Sequence, residues 1–155
     1  MRLESLAKWL DNRLDKVISR RPPDFLIGPD KDPYLRRWWI IPRNKCFNIY
    51  LHQMLHDDDD RALHDHPWWS VSICLRGQII EHDNTVFRKR LFQGDVVFRD
   101  GKTPHRLSFP QGQARTLFVT GPRFREWGFH CPQGWRHWKE FTKPGSPGQR
   151  GRGCD

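Results

Sequence analysis

The chain has 155 residues, of which 36% are hydrophobic and 29% charged, a composition that fits one globular domain and excludes a disordered or fibrous protein. Its 27 basic and 18 acidic residues give a formal net charge of +9 that is spread along the chain. Dispersed charge favours a solvated surface, so a nucleic-acid partner is not expected. The apolar runs are too short for a transmembrane helix, and the charged N-terminus lacks a signal peptide's apolar centre. We therefore expect a cytoplasmic chain with no membrane partner.

Residues 3–20 predict one amphipathic helix, because apolar residues recur at spacings of three and four. The apolar stripe consists of Leu3, Leu6, Leu10, Leu14 and Val17, and it is widened by Trp9 and Ile18. This helix is expected either to pack on the outside of its own domain or to join two chains. We assign 1–21 to the helix and, because proline and glycine interrupt the next segment, 22–37 to an extended linker.

Short β-like runs follow the linker. Turn residues such as Arg76-Gly77 and Gln93-Gly94 separate several of them. The predicted strands are 38–41, 47–55, 69–75, 78–82, 85–91, 95–99, 106–109 and 115–120. With no helical pattern between them, they favour an antiparallel sandwich or barrel over a parallel α/β sheet. We place the barrel and its C-terminal extension at 38–142, and predict that the glycine-rich residues 143–155 form a flexible tail.

The four cysteines lack the CxxC pairing and the short spacings of a cysteine-based zinc site. Structural disulfides are not expected in a reducing compartment. We therefore interpret Cys74 and Cys131 as buried, inert cysteines.

Three histidines are candidate metal ligands. His64 and His66 lie two residues apart in LHDHPW, so both side chains would project to one side of an extended segment. His105, in GKTPHRLSF, opens a later predicted strand, and closure of a barrel could bring it opposite the pair. The HxH pair alone is a weak signal, because surface histidines occur by chance.

Glycine spacing adds a second signal. The stretch HDHPWWSVSICLRG runs from His64 to Gly77, and GDVVFRDGKTPH runs from Gly94 to His105. Over residues 38–130 these stretches resemble the two motifs of the cupin superfamily. The resemblance implies an all-β fold, a cupin-type double-stranded β-helix or jelly-roll barrel with the N-terminal helix added. It also implies a divalent metal ion held by His64, His66 and His105.

A narrower likeness concerns the strings LHDHPWWS, GDVVFRDGKTPHRL and TLFVTGPRFREWGFHCPQGW. They resemble a group of small, single-domain, three-histidine cupins. This likeness implies the fold and no particular reaction.

The sequence departs from the cupin pattern at Ser70, where cupins commonly carry a glutamate ligand. Ser70 shares strand parity with His64 and His66, but a hydroxyl is a poor ligand beside a carboxylate. Three neutral imidazoles resemble the ligand set of three-histidine cupins such as the thiol dioxygenases, in which Fe(II) binds substrate and O₂ together. The resemblance therefore favours Fe(II), with Zn, Ni, Mn or Cu also compatible with imidazole.

Acidic residues beside the HxH pair have two interpretations. The run 57–61 is either a solvated acidic loop or a source of carboxylates for the site. In the second case Asp60 or Asp65 would accept a hydrogen bond from a ligand histidine. Asp65 points away from its neighbours in a regular strand, which argues against direct ligation.

Candidate substrate-binding residues come from strand parity and charge. The strand 47–55 has an apolar face and a second face that carries Tyr50 and His52. If the second face looks into the barrel, both side chains could contact a substrate. The other candidates are Ser70, Arg106 and His130, where Arg106 could hold a carboxylate or phosphate at the mouth of the site. No catalytic acid or base is assigned.

The leading prediction is a non-haem Fe(II)-dependent dioxygenase that acts on a small polar or anionic metabolite. Two alternatives stay open. One is a metal- or ligand-binding module without turnover. The other is an isomerase or epimerase of sugar-type substrates, in which His52, Tyr50 or His130 would move the proton. A homodimer is expected, because jelly rolls leave sheet edges that must be paired or covered.

Overall fold

The computed structural model describes residues 3–29, 31–57, 62–85 and 88–155. Over these residues the helices are α1 (Glu4–Ile18) and α2 (Trp138–Phe141). The strands are β1 (Phe25–Ile27), β2 (Leu35–Trp39), β3 (Asn48–Met54), β4 (Leu63–His64), β5 (Ser70–Gly77), β6 (Ile79–His82), β7 (Lys89–Leu91), β8 (Val96–Arg99), β9 (Arg106–Ser108), β10 (Ala114–Thr120), β11 (Gly128–Cys131), β12 (Gly134–His137), β13 (Thr142–Lys143) and β14 (Ser146–Arg150). Neither helix is long and apolar enough to cross a membrane.

Two antiparallel layers enclose the interior. The large sheet has the strand order β1-β2-β3-β10-β5-β8. The facing layer consists of two three-stranded groups, β12-β11-β4 and β7-β6-β9. An isolated antiparallel bridge between His64 and His105 joins the two groups. The predicted all-β jelly-roll architecture is confirmed.

The register of the large sheet decides which side chains enter the barrel. Arg37 on β2 lies opposite His52 on β3, which lies opposite Thr116 on β10. Because side chains alternate along a strand, the even-numbered residues of β3 face inward together with these neighbours. Leu51, at an odd position, is fully buried on the other face. The face that carries Tyr50 and His52 is therefore the interior one.

Helix α1 covers the outer face of the large sheet of its own chain. Ala7 and Leu10 belong to one hydrophobic cluster with Leu51 and Leu75. Leu14 and Ile18 pack in the same cluster, so this part of the predicted stripe forms an intramolecular contact, the first of the two arrangements expected for this helix. The other members of the stripe, Leu6, Trp9 and Val17, remain exposed.

A buried ion pair fastens the same helix to the sheet. Asp11 is 3% exposed, and its carboxylate accepts hydrogen bonds from Arg115 at 2.9 Å and from Arg76 at 2.7 Å. A buried carboxylate needs such partners, because removing an unpaired charge from water is costly.

The two motif glycines occupy positive-φ turns. Gly77 has φ +83° and Gly94 has φ +88°, a region that L side chains rarely adopt. A Cβ at Gly94 would lie 2.5 Å from the backbone nitrogen of Glu4, at the start of α1. The glycine spacing in the sequence therefore reflects turns that admit no side chain.

The predicted linker 22–37 is wrong, because part of it belongs to the large sheet. Its residues include β1 and the first part of β2, and Phe25 pairs with Arg37 across these strands. Proline stops a helix, but it is compatible with the ends of edge strands.

The predicted strand 85–91 is found as β7, and residues 86 and 87 lie outside the described part of the chain.

The predicted flexible tail 143–155 is also wrong. It contains β14, and the amide of Gly28 donates a hydrogen bond to the carbonyl of Gly148 at 2.5 Å. Cys154 forms a disulfide with Cys131, with their Cα atoms 5.4 Å apart. The expectation of no disulfides fails here because the strands bring together residues that are distant in sequence.

Candidate metal centre

Three imidazole rings converge on the wall of the barrel interior. His64 ends β4, His66 follows two residues later, and His105 immediately precedes β9. The three ring centroids lie 5.0–5.1 Å from one another. One nitrogen from each ring lies within 4.8 Å of the other two. Nε2 of His66 and Nε2 of His105 are 3.3 Å apart.

The backbone holds the three histidines in place. His64 and His105 exchange two backbone hydrogen bonds, each 3.0 Å long, and the amide of His66 donates to the carbonyl of Gly101 at 2.9 Å. Gly101 has φ +86°, and a Cβ there would lie 2.3 Å from the carbonyl oxygen of Trp68. The two sequence motifs therefore meet through main-chain contacts.

Burial keeps two of the imidazoles neutral. It lowers the pKa of His66 and the pKa of His105 well below the ordinary value, and the neighbouring imidazoles and Arg99 add to the effect. Nδ1 of His105 lies 3.4 Å from the carbonyl oxygen of Thr103, a contact that suits an Nδ1–H donor and leaves the Nε2 lone pair directed at the cluster. Neutral imidazole is the form that binds a metal.

The spacing of the His66 and His105 nitrogens fits a metal ion. Metal–nitrogen distances of about 2.0–2.1 Å place two neighbouring ligand nitrogens roughly 3.0–3.4 Å apart, and the 3.3 Å between His66 and His105 lies in this range. The donor set is therefore suitable for a divalent ion that accepts imidazole.

A cavity of about 620 Å³ adjoins the cluster. All three histidines line it, and so do the candidate substrate-binding residues Tyr50 and His52. His52 is 6% exposed, and its ring stacks on Phe118 with centroids 4.9 Å apart. Burial lowers the pKa of His52 well below the ordinary value, and the nearby Arg37 lowers it further, so this ring is neutral too.

The other three candidates do not line the cavity. Ser70 is completely buried, although it has the expected strand parity. Arg106 lies in β9 opposite His82. Nε2 of His130 lies 3.3 Å from a carboxylate oxygen of Asp65, away from the cavity lining.

Asp65 lies between His64 and His66 and fastens this segment to its neighbours. It is 1% exposed, and its carboxylate accepts hydrogen bonds from the amide of Gly128 at 2.8 Å, from Trp135 Nε1 at 3.0 Å and from Arg125 at 3.2 Å. These partners, rather than a ligand histidine, take up its oxygens. Asp60, the other carboxylate considered, lies outside the described residues.

No protein-family model matches the sequence, and no curated protein matches it. Among solved structures, the Fe(II) form of HppE aligns with a TM-score of 0.55 and 18% identity, over 66% of this chain and 58% of HppE. The DMSP lyase DddQ from Ruegeria pomeroyi DSS-3 aligns with a TM-score of 0.54 and 18% identity, over 70% of this chain and 57% of the lyase. KdgF from Halomonas sp. aligns with a TM-score of 0.50 and 14% identity, over 62% of this chain and 87% of KdgF.

These neighbours are cupins, proteins with a jelly-roll fold. The chain has the cupin fold. The resemblance stated from the two sequence motifs is confirmed at this level. The chain covers less than two-thirds of HppE and of DddQ, and at these identities the likeness establishes the fold alone.

Two arginines in the cupin barrel were missed in the sequence. Arg99 lines the cavity, donates from Nε to Glu81 at 2.6 Å and donates from Nη1 to Ser72 at 2.9 Å. Its place in the predicted strand 95–99 could have indicated an inward side chain. Arg37 lines the cavity too, but it lay in the predicted linker, and only its pairing with His52 reveals its direction.

Proposed function

We propose that His64, His66 and His105 bind one divalent metal ion, with Fe(II) favoured, and that the protein is a non-haem dioxygenase of a small polar or anionic metabolite. The observation that carries this proposal is the convergence of three imidazoles on a large cavity, with two facing nitrogens 3.3 Å apart. The shared fold of the Fe(II) form of HppE supports iron. Zn, Ni, Mn and Cu also suit imidazole ligands.

Bound iron would supply the redox chemistry, and the chain would supply geometry and exclusion of water. Three neutral ligands would leave coordination positions for substrate, because the ligand cluster found among the described residues consists of His64, His66 and His105 alone. Tyr50 and His52 would contact the substrate from the large sheet. Aromatic side chains of Trp68 and Phe118 narrow the cavity beside His66, with ring centroids 6.5 and 6.3 Å away. Such walls limit the access of bulk water to the reacting atoms.

The test is O₂ uptake by iron-loaded protein across a panel of thiols, amino acids and diketones. We expect iron-dependent uptake with at least one compound, and loss of that uptake in His105→Gln. The matched control is His56→Gln, because His56 is more exposed and does not line the cavity. Absence of metal-dependent uptake across the whole panel would contradict the dioxygenase proposal.

Two other functions use the same cavity. A binding module would hold the metal without turnover. A sugar isomerase or epimerase would need a proton-transferring group, and the cavity offers Tyr50 and His52 for that role. The variants Tyr50→Phe and His52→Gln would then keep the metal and lose isomerisation of a sugar panel, whereas the dioxygenase proposal predicts no sugar isomerisation by the wild type.

The homodimer and the cytoplasmic location also stay proposals. Because the inner stripe of α1 packs on its own sheet, a dimer would use the exposed side that carries Leu6, Trp9 and Val17. Light scattering at micromolar concentration tests this, since an 18.6 kDa species insensitive to concentration contradicts a dimer.

The disulfide between Cys131 and Cys154 argues against the cytoplasm, because disulfides persist mainly in oxidising compartments. Counting free thiols in freshly extracted protein decides between these locations.

A further inference from the structure

Arg37 is a partly buried arginine that three neighbours hold in position on the cavity wall. Its Nε donates to Nε2 of His52 at 2.8 Å. Its guanidinium carbon lies 5.0 Å from the ring centroid of Tyr50 and 5.9 Å from that of Phe25. A guanidinium seated on two aromatic faces and fixed by one hydrogen bond is preorganised for a ligand.

The ion pairing of Arg37 differs from that of the two buried arginines. Arg99 binds the carboxylate of Glu81, and Arg115 binds the carboxylate of Asp11. Within 3–29, 31–57, 62–85 and 88–155, no carboxylate pairs with Arg37, and its terminal nitrogens have no acceptor. Among the described residues, the hydrogen-bond partner of its side chain is the neutral ring of His52.

A second positive charge lies near this arginine. Arg43 also lines the cavity, and its guanidinium carbon lies 5.5 Å from the ring centroid of Trp39. Burial lowers the pKa of Arg37, Tyr50 and Tyr34 oppose this shift, and the charge of Arg43 makes a smaller contribution that lowers the pKa. This part of the cavity therefore holds positive charge without a compensating carboxylate from the residues described around it, an arrangement that a bound anion would stabilise.

We propose that the guanidinium of Arg37 binds the anionic group, a carboxylate or phosphate, of a ligand that occupies the cavity between this arginine and the three histidines. The planar fork of arginine matches the two oxygens of such a group. The hydrogen bond to His52 uses Nε of Arg37, so the two terminal nitrogens of Arg37 can donate to the anion. Arg43 adds long-range attraction. The inference deepens the proposed function, on which it rests only for the part of the ligand that would reach the metal.

The test is a titration of metal-free protein with malonate and, separately, with inorganic phosphate, followed by the NMR signal of the Arg37 Nε–H group. The Arg37→Gln variant assigns that signal by its absence. We expect a saturable shift with at least one anion. Preference for malonate identifies a carboxylate ligand, and preference for phosphate identifies a phosphate ligand.

Two variants separate a built site from general positive charge. Because Arg37→Gln lacks the reporting N–H group, the variants are compared with the wild type by isothermal titration calorimetry, and Arg37→Gln should weaken binding of the preferred anion at least tenfold. Arg36→Gln removes the same charge from the neighbouring exposed position on the opposite face of β2, and it should leave binding unchanged. Equal weakening in both variants, or no saturable shift in the wild-type protein with either anion, would overturn the proposal. The wild-type titration remains decisive if circular dichroism shows that Arg37→Gln is unfolded.

Metal binding is measured on the same preparations by titration with Fe(II) under anaerobic conditions. Anion binding at Arg37 without metal binding would contradict the proposed function and support this inference. Metal binding without any anion binding would support the metal centre and contradict the inference about Arg37. The two proposals therefore fail in different measurements.

Discussion

His64 and His105 are joined by two backbone hydrogen bonds, each with 3.0 Å between nitrogen and oxygen. This pair connects β4 to the beginning of β9, and it places the two imidazole centroids 5.1 Å apart. A site built on paired backbone is held more rigidly than a site on free loops. The candidate metal centre therefore depends on the closure of the barrel itself.

Replacing Asp65 with Asn should destabilise the protein by about 3 kcal/mol. The buried carboxylate accepts hydrogen bonds from Gly128, Trp135 and Arg125, all of which are donors, and an Asn amide group would face a donor at one of these positions. Urea denaturation measures the change. The control Glu126→Gln alters a carboxylate that is 58% exposed, and it should cost much less than Asp65→Asn. Equal effects in the two variants would contradict this role for Asp65.

The thiols should differ sharply in reactivity. Burial raises the pKa of Cys74 to about 11, and Asp95 adds to the rise, so its thiolate is scarce below that pH. At about pH 8, iodoacetamide should label the exposed Cys46 and leave Cys74 unlabelled, as measured by peptide mass mapping. Both should react in denatured protein, which is the internal control. Labelling of Cys74 as fast as Cys46 in the folded protein would contradict its burial.

The stability of the metal-free protein should depend on pH through His52. Its pKa is lowered in the folded state by burial, whereas the unfolded value is about 6.5. The contribution of His52 to the free energy of unfolding is therefore complete above about pH 6.5. It is lost as the pH falls, because His52 binds a proton more readily in the unfolded chain than in the folded chain.

The comparison is with His52→Gln, whose amide oxygen can still accept the hydrogen bond from Arg37. Between about pH 6 and 5, the wild type should lose stability more steeply than this variant, by at most the one-proton limit of about 1.4 kcal/mol per pH unit. Urea denaturation at each pH gives the two curves. Parallel curves would show that His52 does not resist protonation in the folded protein.

Removing the disulfide with Cys154→Ser should destabilise the protein by about 3 kcal/mol, because the bond closes a loop with a sequence separation of 23. Cys46→Ser, at an exposed free cysteine, should have little effect. Addition of a reductant should lower the stability of the wild type to that of Cys154→Ser. If the two proteins are equally stable without reductant, the disulfide does not form in solution.

Local patterns in the sequence were sufficient for the helix and for most of the barrel. Leucine spacing predicted α1. Short runs of alternating apolar and polar residues, bounded by turn residues, predicted β3, β5 and β10. The two motifs were sufficient to propose the three histidines. Strand β4, with two residues, is too short to show alternation.

The missed features depend on contacts between distant segments. Arg37 belongs to the cavity only because β2 pairs with β3, and no local pattern specifies that register. Cys131 and Cys154 are brought together by strands in the C-terminal region whose glycine- and proline-rich sequence is typical of a loop. Neither relationship follows from periodicity or composition.

Metal content is the measurement that tests the central claim most directly. Protein loaded with Fe(II) under anaerobic conditions and freed of excess metal should contain about one ion per chain by elemental analysis, and His66→Ala and His105→Ala should contain almost none while His56→Gln retains it. His66→Ala and His105→Ala each remove a ring of the cluster, whereas His56→Gln removes a ring outside it. Wild-type protein with no bound metal, or the same metal content in all four proteins, would contradict the proposal that His64, His66 and His105 form a metal centre.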